Sequence, residues 1–186
     1  FEITKADFAD AVITGIPESV EYTGESIVLT GYELTLGDTK LVENQDYVVE
    51  YTDNKEIGTA TVRFIGAGNY SGEKTAAFKI TKADIANCEI SPIQGQTWTG
   101  KAIEPVLTIK NGSVTLKAGT DYEVTYSNNI DETDEAKAEI TGIGNYTGTA
   151  VVYFSITRSV VDINGATVSA IPAQTYAFGK AVTPSV

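Results

Sequence analysis

The chain has 186 residues, 42% of them hydrophobic, and a formal net charge of −12 from 13 Lys and Arg against 25 Asp and Glu. That is enough apolar chain for one sizeable core or two modest ones, and it excludes a disordered tail. The few, scattered basic residues make nucleic acid and anionic membrane surfaces poor partners, and the absence of His removes the commonest general base and transition-metal ligand.

The first element is announced by a motif. Phe-Glu-Ile-Thr-Lys-Ala-Asp at 1–7 recurs as Phe-Lys-Ile-Thr-Lys-Ala-Asp at 78–84, and Phe-Ser-Ile-Thr-Arg-Ser-Val begins a third version at Phe154. Residues 1–4 therefore read as the end strand of a preceding repeat motif. Ala6–Ala11 offers a short helix of under three turns. Strands are expected near 10–16, 20–23, 26–34, 39–43, 46–52, 58–65 and 73–81, where polar and apolar residues alternate and β-branched and aromatic types are common. Tyr47, Val49 and Tyr51 set one face of such a strand. Gly15-Ile16-Pro17, Gly37-Asp38 and Asp53-Asn54 supply turns between strands.

The second copy keeps the order. Trp98-Thr99-Gly100 answers Tyr22-Thr23-Gly24, Asp121–Asn129 answers Asp46–Asn54, and Phe154–Thr157 closes this copy as Phe78–Thr81 closes the first. Asn111-Gly112 signals a two-residue hairpin. Asp131–Ala138 is the other short helix candidate. Ile171–Val186 resembles the stretch around Trp98, so a third copy opens and is not completed. The expected organisation is a module over 1–81, a second over 82–157 and the opening strands of an incomplete third over 158–186. A start at Phe1 and the absence of Met read as a piece of a larger protein.

Seven short strands in about 76 residues, with no long helix, predict an all-β fold of tandem antiparallel β-sandwich modules of immunoglobulin type. A β-grasp fold would need a helix that the sequence does not offer. No Gly/Ser- or Pro-rich linker separates the copies, so the joint between them is expected to be short and stiff.

Gly-Ala-Gly-Asn-Tyr-Ser-Gly at 66–72 and Gly-Ile-Gly-Asn-Tyr-Thr-Gly at 142–148 invite a phosphate-loop reading. Phosphate loops join a strand to a helix; here strands flank both sides, and the spacing matches neither the dinucleotide fingerprint nor the P-loop. A turn between the last two strands explains the heptad better, with glycine and asparagine supplying positive φ. Tyr70 and Tyr146 would then fold over the module end, where a hydroxyl can bond a loop carbonyl.

Tyr-Thr-Gly, then Leu-x-x-Gly-x-Asp-Tyr-x-Val-x-Tyr, then Gly-x-Gly-Asn-Tyr-x-Gly-Thr and Phe-x-Ile-Thr form a pattern over essentially the whole chain. It resembles the tandem immunoglobulin-like repeats of large secreted or wall-attached surface proteins of Gram-positive gut bacteria. The matching residues are Trp98–Gly100, Leu116–Tyr126, Gly142–Thr149 and Phe154–Thr157, with Trp98 standing where the pattern has tyrosine. The resemblance implies an extracellular or cell-wall location and a non-catalytic spacer role, holding adhesive, binding or enzymatic domains away from the wall. It names no catalytic residue.

Ligand-site candidates remain beside that reading. Trp98, Tyr70 and Tyr146 could stack on a polysaccharide or host glycoprotein if exposed, although a packing role is simpler for Trp98, which takes the place of Tyr22. Asp131, Glu132, Asp134 and Glu135 form the densest acid cluster and are candidate calcium ligands, though they lack EF-hand spacing. No other cofactor is indicated. Cys88, the single cysteine, can form neither an internal disulfide nor a Cys-based zinc site, and without His it reads as a small buried thiol. Lys and Asn residues are available for an intramolecular isopeptide bond. Accidental carboxylate pairs are certain among 25 acids and do not make a glycosidase.

Overall fold

The computed structural model describes residues 4–159 and, beyond them, Asn164, Thr167, Phe178 and Gly179. The expected end strand at 1–4 and the opening strands over 158–186 lie almost wholly outside the described residues. Within them the protein is all-β, with several sheets and no α-helix, and its strands fall into two matching sets.

The first set comprises β1 (Ala6–Asp7), β2 (Val12–Thr14), β3 (Ser19–Glu21), β4 (Glu33–Leu36), β5 (Thr39–Lys40), β6 (Tyr47–Thr52), β7 (Gly58–Gly66), β8 (Tyr70–Ser71) and β9 (Glu73–Thr81). The second comprises β10 (Ala83–Asp84), β11 (Glu89–Ile90), β12 (Gln96–Thr97), β13 (Ile109–Asn111), β14 (Val114–Thr115), β15 (Tyr122–Ser127), β16 (Thr133–Gly142), β17 (Tyr146–Thr147) and β18 (Thr149–Thr157). Each set builds a four-stranded sheet, β3-β9-β7-β6 and β12-β18-β16-β15, and a three-stranded sheet, β2-β4-β5 and β11-β13-β14. Each adds a short parallel pair, β1-β8 and β10-β17, that ties its opening segment to its glycine heptad.

The long hairpins follow from period-two burial. On β7, Ala60, Val62 and Phe64 point inward while Thr61, Arg63 and Ile65 alternate with them, and Ala60 lies opposite Phe78 of β9. Ala136, Ala138 and Ile140 do the same on β16. Phe8, Leu34, Tyr47, Phe64 and Phe78 join the faces of both first-set sheets in one cluster. Ile85, Ile109, Tyr122, Ile140 and Tyr146 do so in the second, beside a smaller cluster of Ala136, Phe154 and Ile156.

Three expectations need correction. Ala6–Ala11 is not a helix: Ala6–Asp7 is strand, and a single 3₁₀ turn, Phe8–Asp10, follows because Asp7 caps Ala9 N–H at 2.9 Å while Phe8 plugs the core. Asp131–Ala138 is not a helix either; from Thr133 onward it belongs to β16, where Ala136 and Ala138 are buried and paired with β18. The strand expected over 26–34 forms a ladder only from Glu33. Ile27 and Leu29 are buried alternately with exposed neighbours, as in a strand, but side chains satisfy much of their backbone. Asn54 Nδ2 donates to Ile27 O at 2.7 Å, and Leu29 N–H donates to Tyr51 Oη at 3.0 Å. The Asn111-Gly112 hairpin is present, with Gly112 and Ser113 forming the tip between paired Asn111 and Val114. No helix among the described residues is long and apolar enough to cross a membrane.

Candidate functional site

The most developed constellation is the contact between the two strand sets. Tyr22 follows β3 and is fixed by its N–H, which donates to Thr81 O at 2.8 Å. Thr23 then folds a tight turn: its Oγ1 accepts from Glu25 N–H at 3.3 Å and donates to Glu25 O at 3.1 Å. The turn lands on the β13–β14 hairpin tip. Asn111 Nδ2 donates to Tyr22 O at 2.9 Å, Ser113 Oγ donates to Glu25 Oε1 at 2.6 Å, and Val114 lies against Gly24. The Tyr22 ring meets Tyr146 edge to face at 5.8 Å and packs against both main apolar clusters. Chemically this is an aromatic contact rimmed by two hydrogen bonds, a joint between the two strand sets.

The second glycine heptad, which carries Tyr146, backs that joint. Gly148, at φ +75°, is packed so closely that a Cβ there would lie 2.2 Å from Asp84 Oδ1, the same oxygen that caps Ala86 N–H at 3.0 Å. Gly72 and Asp7 repeat the relationship at 3.0 Å. The last glycine of each heptad is therefore demanded by the aspartate of the Lys-Ala-Asp motif, and the heptad is a strand-to-strand turn as expected. The expected hydroxyl-to-carbonyl bond falls on other tyrosines. Tyr126 donates to Pro105 O, and Tyr51 is bonded to the Leu29 backbone.

The sequence-predicted ligand residues are not brought together. Tyr146 is buried to 2% exposure under Tyr22, and burial pushes its phenol pKa up, partly offset by Asn111. Such a ring has no face to offer a ligand. Tyr70, its counterpart in the first set, is half-buried. Trp98 is half-buried against Ala136, Phe154 and Ile156, with the Arg158 guanidinium 4.1 Å over its ring and its Nε1–H buried without a hydrogen-bond partner among the described residues. Asp131, Glu132, Asp134 and Glu135 are all exposed. Asp134 and Glu135 are neighbours where the β16–β18 register is irregular and line one open concavity, while Glu132 pairs with Arg158 at 3.6 Å. Among the described residues no group of three or more potential metal ligands converges.

Cys88 sits beside the joint, half-buried against the same cluster as Tyr22. Burial first, then the Asp84 and Glu21 carboxylates, raises its thiol pKa, the opposite of nucleophile activation. The Lys74 ammonium donates to the backbone carbonyls of Ala9, at 3.0 Å, and Ala11, a structural tie and not an isopeptide geometry. Two solvent-open concavities, about 510 and 470 Å³, lie at equivalent loops, one lined by Asp53–Thr59 and the other by Ser127, Asn128, Asp134, Glu135, Lys137 and Tyr153.

Sequence reasoning missed Asn111, Ser113 and Glu25 as joint residues. It also missed Asn54 and Asn129, which hold the Ile27 and Ile103 carbonyls at 2.7 and 3.0 Å. The available signal was the alignment of the copies: Asn54 and Asn129 are repeated, whereas the Asn111 position is Leu36 in the first copy. No protein-family model matches the chain, and no curated protein or solved structure matches it.

Proposed function

We propose that the chain is a non-catalytic, extracellular spacer of a bacterial cell-surface or secreted protein, built from immunoglobulin-like β-sandwich repeats over 1–81 and 82–157. The observation that carries this reading is the joint itself. Tyr22 belongs to two apolar clusters at once, and Thr81 of one set is followed after a single residue by β10 of the next. A directly abutted pair with a shared aromatic transmits orientation, which is what a spacer must do. The two sheets of each set converge on one cluster, which supports the sandwich reading. Its mechanism is mechanical: neighbouring domains of the same polypeptide are held apart with limited bending.

The competing reading, a carbohydrate- or glycoprotein-binding adhesin module using Trp98, Tyr70 and Tyr146, loses support from a buried Tyr146 and from Arg158 over Trp98. The test is retention on insoluble polysaccharides, mucin and soluble glycans beside Trp98→Ala. The folded chain is expected to pass through unbound. Retention that disappears with Trp98→Ala would replace the spacer by a recognition module.

A further inference from the structure

The joint has a plug, the Tyr22–Glu25 turn, and a socket, the β13–β14 hairpin tip backed by Tyr146. The chain carries a second example of each half. The second plug is the Trp98–Lys101 turn, and it has the same shape. Trp98 N–H donates to Thr157 O at 2.8 Å, as Tyr22 N–H does to Thr81 O at 2.8 Å. Thr99 Oγ1 accepts Lys101 N–H at 3.3 Å, as Thr23 Oγ1 accepts Glu25 N–H at 3.3 Å. The second socket is the β4–β5 tip, where Leu36 pairs with Thr39 as Asn111 pairs with Val114, and Tyr70 takes the place of Tyr146.

Burial distinguishes the engaged halves from these two. Gly24 is half-buried against Val114, whereas Gly100 is exposed and faces the ring of its own Trp98. Tyr146 is buried under Tyr22, whereas Tyr70 is only half-buried. Charge then pairs the two remaining halves. In the engaged joint Glu25 accepts from Ser113. The Glu25 position is Lys101 in the second plug, the Ser113 position is Asp38 in the second socket, and both side chains are exposed.

We infer, resting on the spacer reading, that the Trp98–Lys101 turn is a docking plug for a further repeat of this type. Its socket carries a carboxylate at the Ser113 position and an apolar residue at the Asn111 position, as the β4–β5 tip does with Asp38 and Leu36. The larger indole surface of Trp98 then compensates for the amide hydrogen bond that a leucine cannot make. Lys101 and the carboxylate set the pairing, because a lysine-bearing plug is repelled by a lysine-bearing socket.

The test joins Lys5–Val186 of a second copy directly after Thr157, preserving the Phe-x-Ile-Thr-Lys-Ala-Asp junction, with Trp98→Phe in the second copy so that one tryptophan reports. Acrylamide quenching of that tryptophan is expected to fall several-fold relative to the 186-residue chain. Lys101→Glu in the first copy restores quenching, and adding Asp38→Lys in the second copy suppresses it again. Unchanged quenching, or a charge exchange without effect, overturns the inference; protection by a soluble glycan instead would return Trp98 to ligand binding. If the longer chain does not fold, the isotope-labelled 186-residue chain is mixed at millimolar concentration with its unlabelled Trp98→Phe version. A shift of the single indole N–H signal supports docking, and a stationary signal overturns it. Alkylation of Cys88 in the same samples reports the Tyr22 joint. A loose Tyr22 joint sinks the spacer reading, while a tight one beside a freely quenched Trp98 sinks only this inference.

Discussion

Tyr22 and Tyr146, one from each strand set, meet edge to face with ring centroids 5.8 Å apart and an interplanar angle of 83°. The contact buries the second ring and leaves the first packed against both main clusters. Aromatic pairs in this geometry contribute about 0.5–1.5 kcal/mol beyond their buried area. Tyr22→Ala is therefore expected to cost about 2–3 kcal/mol in urea unfolding, area and ring contact together. It should also speed alkylation of the neighbouring Cys88 several-fold, while Tyr70→Ala leaves Cys88 as slow as before. Equal Cys88 rates in all three proteins would mean that Tyr22 does not close the joint.

Gly148 and Asp84 form a coupled pair. Gly148→Ala forces a Cβ against Asp84 Oδ1 and strains a residue at φ +75°, with an expected cost of about 1–3 kcal/mol. Asp84→Ala removes the cap on Ala86 N–H and costs about 1 kcal/mol. In the double variant the clash is gone and only strain and cap loss remain, so the two costs must sum to more than the measured total. Strict additivity would show that the close approach is relieved elsewhere.

Asn129, the single buried polar residue among those described, donates through Nδ2 to Ile103 O and accepts from Ile103 N–H through its backbone carbonyl. Asn129→Ala leaves the Ile103 carbonyl without that donor, at an expected cost of about 1–3 kcal/mol. Asn54→Ala in the first set should behave alike, because Asn54 makes the same two bonds to Ile27. Calorimetry that finds either variant as stable as the parent would remove these asparagines from the account.

Alkaline pH is expected to destabilise the fold. Tyr47, Tyr122 and Tyr146 are buried, and burial is the leading cause that raises the pKa of each phenol. The folded state thus keeps protons that the unfolded chain gives up from about pH 10 upward. Their stabilising contribution is intact below that pH and is lost as pH climbs toward the raised folded values. The urea midpoint should fall above about pH 10, with phenolate absorbance rising as the structure melts. A midpoint independent of alkaline pH would contradict the burial of these rings.

Much of the fold was legible because strands write a period of two. Tyr47, Val49 and Tyr51 announce β6, and the copied heptads announce the turn between β7 and β9. The failures have physical causes. Asp131–Ala138 is rich in good helix formers, yet Ala136 is paired with Phe154 of β18 and Ala138 with strands on both sides, so tertiary pairing overrides local propensity. Ile27 and Leu29 alternate as a strand does, but Asn54 and Tyr51 take the place of a partner strand, and no local pattern signals a side chain acting as a ladder. At the joint, Tyr22, Asn111 and Tyr146 each belong to a motif of the sequence, but nothing in those motifs links one to another. Only the fold brings them together: Tyr146, expected to fold over the end of its own module, is covered by Tyr22 of the other strand set.

Small-angle scattering of the chain beside a version carrying a long Gly/Ser insertion at Lys82 tests the central claim most directly. The account predicts that the parent profile fits one fixed arrangement of the two strand sets, and that the insertion keeps both folded while broadening the distribution of distances and extending its maximum. Identical profiles, or a parent already as broad as the inserted chain, would contradict a stiff joint closed by Tyr22.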